Sequence, residues 1–156
     1  MPESLKQVDL PDAAATEALG RAVAARLPAD TRGWTIALEG ELGTGKSTFA
    51  RALLRALGHA GPVPSPTYTL VEPYDIAGRT VYHVDLYRLA GPDELAFLGW
   101  SDLDDGLLLV EWPERAAALA RRADLVVRLR HAGAARAAEL SARSPRAQRL
   151  LDPVTS

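Results

Sequence analysis

The sequence predicts an α/β fold: one domain with a mostly parallel sheet, helices on its flanks, and an antiparallel C-terminal hairpin. Three observations lead there. Strand-like and helix-like segments alternate through the middle of the chain. The glycine-rich stretch GELGTGKS, Gly40 to Ser47, stands between a predicted strand and a predicted helix. The 156 residues, 47% of them apolar, suffice for a single core. A main domain over 1–142 is expected, with a tail or short helix over 143–156.

Each element has a local reason. Residues 12–27 place Ala15, Leu19, Ala22, Val23 and Leu27 on a helical stripe, with Asp12 as N-cap after Pro11. Residues 34–39 (WTIALE) read as a strand buried on both faces at its centre. A helix follows from about Lys46 to Leu57, with Phe49, Leu53, Leu54 and Leu57 inward and Gly58 closing it. Residues 60–67 (AGPVPSPT) carry too much proline for a helix and predict a stiff extended loop. Strands are expected over 68–74 and 80–86, joined by the turn Ile76-Ala77-Gly78-Arg79. A short helix over 92–99 starts at Pro92 with Asp93 and Glu94 in its first turn. The apolar run 107–110 (LLLV) predicts a buried strand ending in Glu111, and 113–122 a helix beginning at Pro113. Residues 124–130 and 134–141 close the chain as a strand pair.

The stretch Gly40–Ser47 fits G-x-x-x-x-G-K-[ST], so the expected fold is a single P-loop NTPase domain. Backbone N–H groups in such a loop converge on phosphate oxygens, and the following helix adds the positive end of its dipole. Lys46 would bridge the β- and γ-phosphates of a nucleotide, and the Ser47 hydroxyl would enter a Mg²⁺ shell. The chain holds only two lysines beside sixteen arginines, and the one interior lysine is this residue. A compact ammonium fits there where a broad guanidinium would crowd. The nucleotide-contacting positions expected in the loop are Gly40, Glu41, Leu42, Gly43, Thr44, Gly45, Lys46, Ser47 and Thr48.

Such a loop needs carboxylates at strand ends to hold Mg²⁺ and orient a nucleophile. Glu111 stops the LLLV run and Asp85 ends TVYHVD. An acid at the end of a buried strand is costly to the core unless it is paired or working. Spacing does not say which of the two holds metal, and either could instead pair with Arg88 or Arg115. His83 reads as a strand histidine rather than a general base, and Tyr87 and Trp100 as core or interface residues.

Composition narrows the classes. Without cysteine there are no disulfides, thiol nucleophiles or cysteine metal sites, and three scattered histidines do not make a zinc site. No long apolar span and no basic-then-apolar N-terminus is present, so a cytoplasmic protein without a membrane span is expected. The net charge of −2 divides unevenly. Residues 1–114 carry 9 basic and 17 acidic side chains, and residues 115–156 carry 9 basic against 3 acidic. The basic third suits an acidic or nucleic-acid partner, or simply a solvated surface.

Four segments in order, GELGTGKSTFARALLRALG (40–58), SPTYTLVEPY (65–74), YHVDLYRL (82–89) and LVEWPER (109–115), closely resemble the TsaE (formerly YjeE) family. That family is the ATPase subunit of bacterial tRNA threonylcarbamoyladenosine (t6A) synthesis, and the resemblance runs from about Leu10 to Arg136. It implies ATP and Mg²⁺ as cofactors and slow hydrolysis by the chain alone. It implies a TsaB–TsaD heterodimer as partner, with tRNA reached indirectly through that complex and no DNA partner. TsaD would then transfer threonylcarbamoyl to adenosine 37 of tRNAs reading codons that begin with A. By the same resemblance Ser47 stands where a Mg²⁺-binding threonine is usual. Asp85 is the acid near the metal and γ-phosphate, and Glu111 the acid assigned to Mg²⁺. Lys46, Asp85 and Glu111 are thus the expected catalytic set. Trp112 lines the nucleotide site or orders its neighbouring loop, Arg136 supplies a late contact to the nucleotide, and Ala13–Thr16 lie near adenine. Thr44 stands where alanine is more usual. The SPTYTL segment resembles a switch ordered by γ-phosphate, with a rigid turn as its plainer reading.

Two other functions share the loop. A small-molecule kinase would need an arginine-bearing lid, whereas residues 91–106 (GPDELAFLGWSDLDDG) are acidic. A nucleotide-sensing module would bind without useful turnover.

Overall fold

The computed structural model describes residues 4–64, 71–89 and 100–151. The expected helix over 92–99, the SPTYTL switch segment from Ser65 to Leu70, the side chain of Trp100 and the last five residues lie outside the described residues. The described chain forms a seven-stranded sheet in the order β1-β7-β6-β2-β5-β4-β3. Its strands are β1 (Ser4–Leu10), β2 (Thr35–Glu39), β3 (Val71–Ile76), β4 (Arg79–Asp85), β5 (Leu107–Glu111), β6 (Leu125–Ala132) and β7 (Ala135–Ala142). The helices are α1 (Ala13–Arg26), α2 (Lys46–Leu57), α3 (Ala117–Arg121) and α4 (Pro145–Leu151).

The parallel core is present but smaller than expected. Strands β6, β2, β5 and β4 run parallel, while β1–β7, β7–β6 and β3–β4 pair antiparallel. Half of the strand junctions among the described residues are therefore antiparallel, and the sheet is mixed rather than mostly parallel. The largest departure is β1, which the sequence reading leaves without an element. It pairs with β7 in register from Ser4↔Ala142 to Leu10↔Arg136. As an edge strand it leaves Leu5 61% exposed and buries Leu10, so its alternation is too weak to read without its distant partner.

Alternation along each central strand sorts side chains onto two cores. Ile36 and Leu38 of β2 and Leu107 and Leu109 of β5 join the larger core with Phe49, Leu53 and Leu54 of α2. Leu108 and Val110 point the other way, into a smaller core with Val84, Ala116 and Leu119. Helix α1 is capped as expected, with Asp12 Oδ1 accepting from Ala15 N–H at 2.9 Å. Its inner face is broader than the predicted stripe. Val23 and Leu27 are buried and Ala15 and Leu19 pack against the larger core as expected, while of the stripe Ala22 alone is exposed. Thr16, Gly20 and Ala24 are buried as well. A Cβ at Gly20 would lie 2.8 Å from the Phe49 carbonyl oxygen and 3.0 Å from Ala52 Cβ. Close approach of α1 to α2 selects small residues there, which a search for large apolar side chains overlooks.

The expected helix over 113–122 is broken. A 3₁₀ turn over Pro113–Arg115 is separated from α3 by Ala116, whose φ of −142° and ψ of 91° are extended. Ala116 is 7% exposed within the smaller core, so packing overrides the helix propensity of an alanine run. The turn between β3 and β4 narrows to Ala77-Gly78, both at positive φ, as a two-residue hairpin turn requires. The C-terminal hairpin is present as β6 and β7. No helix among the described residues is long and apolar enough to cross a membrane.

Candidate functional site

The parallel direction of β2, β4 and β5 brings their carboxyl ends to one edge of the sheet, where open α/β sheets place their ligands. The glycine-rich loop leaves β2 there. Gly40, Gly43 and Gly45 hold φ values of +148°, +78° and +106°, which turn the loop back onto the start of α2. Thr44, 1% exposed, donates its hydroxyl to the Glu41 carbonyl at 2.7 Å and ties the loop across its middle. That bond gives a use to the hydroxyl at a position where alanine is more usual in the resembled family.

Lys46 is buried to 5% exposure, and its Nζ donates to the Gly40 carbonyl at 2.5 Å. The same ammonium lies 3.3 Å from the centroid of the Trp112 ring, a close cation–π contact. Burial pushes the Lys46 pKa below its ordinary value, and the carboxylates of Glu111, Glu114 and Asp85 act against that shift. Trp112 reaches the ammonium because its backbone adopts φ 59° and ψ 50°, a left-handed conformation uncommon for an aromatic residue. Its ring also packs at 5.0 Å from that of Tyr87.

The two acids meet in register. Asp85 and Glu111 are paired residues at the ends of the adjacent strands β4 and β5. Both lie on the sheet face that carries α2, because Val81, Leu107 and Leu109, two or four residues earlier, belong to the larger core. Asp85 is half-buried, and its Oδ1 accepts from the Tyr87 N–H at 2.9 Å. Desolvation raises its carboxyl above the usual range, the Tyr87 N–H opposes that shift, and the Glu111 charge adds to it. Glu111 is 4% exposed, and its Oε2 lies 2.6 Å from His83 Nε2.

Lys46, Ser47, Thr48, Asp85, Glu111 and Trp112 share one open cavity of about 420 Å³. The positive N-terminal end of the twelve-residue helix α2 opens into it. These side chains offer an ammonium, hydroxyls and carboxylates, the hard oxygen donors and charge that suit phosphate and Mg²⁺. Among the described residues no group of three or more histidine, aspartate or glutamate side chains forms a metal centre by itself. A second cavity of about 210 Å³ on the other side of the loop joins Ala13, Thr16, Thr44, Gly45, Thr48 and Arg136. Arg136 donates from Nε to the Gly43 carbonyl at 3.2 Å. A third, of about 450 Å³, runs past Glu41, Thr44 and Trp112 to Arg128 and His131.

The sequence-predicted positions are therefore gathered around one loop. Gly43, Thr44, Gly45 and Thr48 touch the second cavity, Leu42 is 66% exposed at the loop tip, and Glu41 is exposed beside it. Arg88 and Tyr87 line the first cavity as well. His83 is a buried strand histidine, as expected, and the structure joins it to this site through Glu111. Its signal was available: in HVD the histidine and Asp85 are two apart on one strand and must share a face.

A family model described as threonylcarbamoyl adenosine biosynthesis protein TsaE matches residues 10–139. A tRNA threonylcarbamoyladenosine biosynthesis protein TsaE from Haemophilus influenzae is 48% identical over 109 residues, covering 69% of this chain and 69% of its own. One of the same name from Synechocystis is 40% identical over 121 residues, covering 74% of each. The crystal structure of Bacillus subtilis YdiB superposes with a TM-score of 0.75 at 26% identity, over 97% of this chain and 95% of that one.

Proposed function

The chain belongs to the TsaE family of threonylcarbamoyl adenosine biosynthesis proteins, and on that premise we propose that it binds ATP with Mg²⁺ and hydrolyses it in t6A formation. In this reading it works with a TsaB–TsaD pair, which carries the transfer to adenosine 37, and touches tRNA through that assembly. One observation carries the reading. Lys46 and Ser47 at the head of α2 share a cavity with two carboxylates, Asp85 and Glu111, set side by side on neighbouring parallel strands.

The roles follow from position. The loop N–H groups and the Lys46 ammonium bind the β- and γ-phosphates, and the face of Trp112 keeps that ammonium in place. Ser47, Asp85 and Glu111 are the residues that would hold Mg²⁺, which when bound neutralises charge on the phosphate oxygens. Asp85 and Glu111, both desolvated, are fixed by a backbone N–H and by His83, so neither must reorganise when nucleotide arrives. The second cavity, with Ala13, Thr16 and Arg136, is the adenine side.

The test compares Lys46→Ala and Glu111→Gln for nucleotide affinity and for release of free phosphate, with and without TsaB–TsaD. Lys46→Ala is expected to weaken ATP binding at least about tenfold, as loss of a charge-assisted phosphate contact implies. Glu111→Gln is expected to bind ATP and to lose most hydrolysis. Full hydrolysis by Glu111→Gln, or transfer of the γ-phosphate to a small acceptor in place of its release, would overturn the reading.

A further inference from the structure

His83 is 2% exposed on β4, two residues before Asp85 and on the same face of the sheet. Its Nε2 lies 2.6 Å from Glu111 Oε2, and its Nδ1 has no hydrogen-bond partner among the described residues. Among the described residues the one hydrogen bond of this ring is thus to a carboxylate that lines the cavity shared with Lys46 and Ser47. A glutamate 4% exposed is costly without a partner, and among the described residues His83 is the side chain that supplies one. Strand pairing sets the geometry: Asp85 stands opposite Glu111 and His83 opposite Leu109, one side-chain step back along the sheet. Glu111 is approached from behind, on the strand side. Its other oxygen, Oε1, accepts no hydrogen bond from the described residues.

We propose that His83 is a positioning residue that pins Glu111 Oε2 through Nε2 and so turns Oε1 toward the cavity shared with Lys46 and Ser47. The inference rests on the reading of Glu111 as an acid acting at the Mg²⁺–ATP site. A carboxylate free to rotate among rotamers serves poorly as a ligand or as an anchor for water, and an outer partner that fixes it typically contributes 10- to 100-fold. Both partners sit on the neighbouring parallel strands β4 and β5, so the ladder between them fixes their relative position.

The experiment uses the full chain and four variants: His83→Leu, His83→Gln, His83→Asn and Glu111→Gln. Glutamine can place an amide N–H near the position of Nε2, whereas asparagine falls short of Glu111. Thermal unfolding, ATP affinity, the Mg²⁺ concentration for half-maximal ATP binding, and kcat for phosphate release are measured for each. For His83→Leu the expectation is a cooperative unfolding transition and ATP affinity in excess Mg²⁺ within about twofold of the parent. Its kcat should fall about 10- to 100-fold, with a rise of similar size in half-saturating Mg²⁺. His83→Gln should recover most of both losses and His83→Asn neither. In a Glu111→Gln background, His83→Leu should cause no further loss. A folded His83→Leu with the parent's kcat and Mg²⁺ dependence overturns the proposal, as does equal behaviour of the glutamine and asparagine variants. Should His83→Leu fail to fold, the glutamine–asparagine comparison decides alone. If Glu111→Gln itself hydrolyses ATP fully, the reading of the site falls too. An inactive Glu111→Gln beside a fully active His83→Leu removes only the role of His83.

Discussion

The glycines of the loop look alike in sequence and differ in what they must avoid. A Cβ at Gly40 would lie 2.5 Å from the Leu129 carbonyl oxygen and 2.6 Å from Thr44 Oγ1, at a φ of +148°. A Cβ at Gly43 would meet nothing within 4 Å, so only its φ of +78° resists substitution. Gly43→Ala is therefore expected to cost about 1–2 kcal/mol, the usual strain of a left-handed alanine. Gly40→Ala combines strain with a clash against backbone and is expected to cost about 3 kcal/mol or more. Denaturant titration of both variants checks this, and equal midpoints would contradict it. The motif identifies Gly40 as required. Its reason, the strand carrying Leu129 packed against the loop, exists only in the fold. The same holds for Trp112: its neighbour Glu111 was legible as a strand-end acid, but the left-handed backbone that carries its ring over Lys46 leaves no local trace.

Among the elements, α4 is held by a polar clamp. Arg146 donates from Nε to Asp124 Oδ1 at 2.9 Å and from its second guanidinium nitrogen to Asp124 Oδ2 at 3.0 Å and to the Gly33 carbonyl at 2.9 Å. Asp124 Oδ2 also accepts from the Thr35 N–H at 2.9 Å, and the guanidinium stacks 4.7 Å from the Trp34 ring. One carboxylate thus joins the start of β2, the start of β6 and the C-terminal helix. Asp124 is 5% exposed, so Asp124→Ala strands a buried N–H and removes the partner of a cation. A loss of about 2–4 kcal/mol is expected, seen as a fall in Tm of roughly 5–15 °C. Arg146→Ala should cost less, about 1 kcal/mol, because that side chain is 42% exposed and water can replace it. A Tm for Asp124→Ala within about 2 °C of the parent would refute the clamp. The helix Pro145–Leu151 lies within the segment read as a tail or short helix, and β6 with β7 forms the antiparallel hairpin. Strand β1 was not legible because its pairing spans nearly the whole chain. The face of α1 was legible in Ala15, Leu19, Val23 and Leu27, but not in Gly20 and Thr16, the small residues that the close approach of α2 and the loop requires.

At the scale of the whole molecule, the charge asymmetry is partly spent inside the protein. Arg128 bridges Glu39 and Glu139, Arg146 holds Asp124, and Arg136 holds the Gly43 carbonyl. The basic third is thus in part the means by which the C-terminal hairpin and helix grip β2 and the loop. Arg146→Ala is consequently a poor probe of tRNA contact, since it also loosens α4. The proposed assembly is tested by co-purification with TsaB–TsaD, with and without ATP. Association is expected in at least one of the two conditions, and failure in both would remove the TsaB–TsaD part of the proposal. Local sequence by itself determined the glycine-rich motif of the loop, the strand–loop–helix that presents it, and the two acids at strand ends. Those depend on residue type and on contacts a few positions apart. The tertiary structure alone decided that Asp85 and Glu111 stand in register, that Trp112 faces Lys46, and that His83 holds Glu111. Parallel strands meet only after intervening segments have folded across the sheet, so their side-by-side chemistry is set by strand order and register. Neither is encoded in any short stretch of the chain.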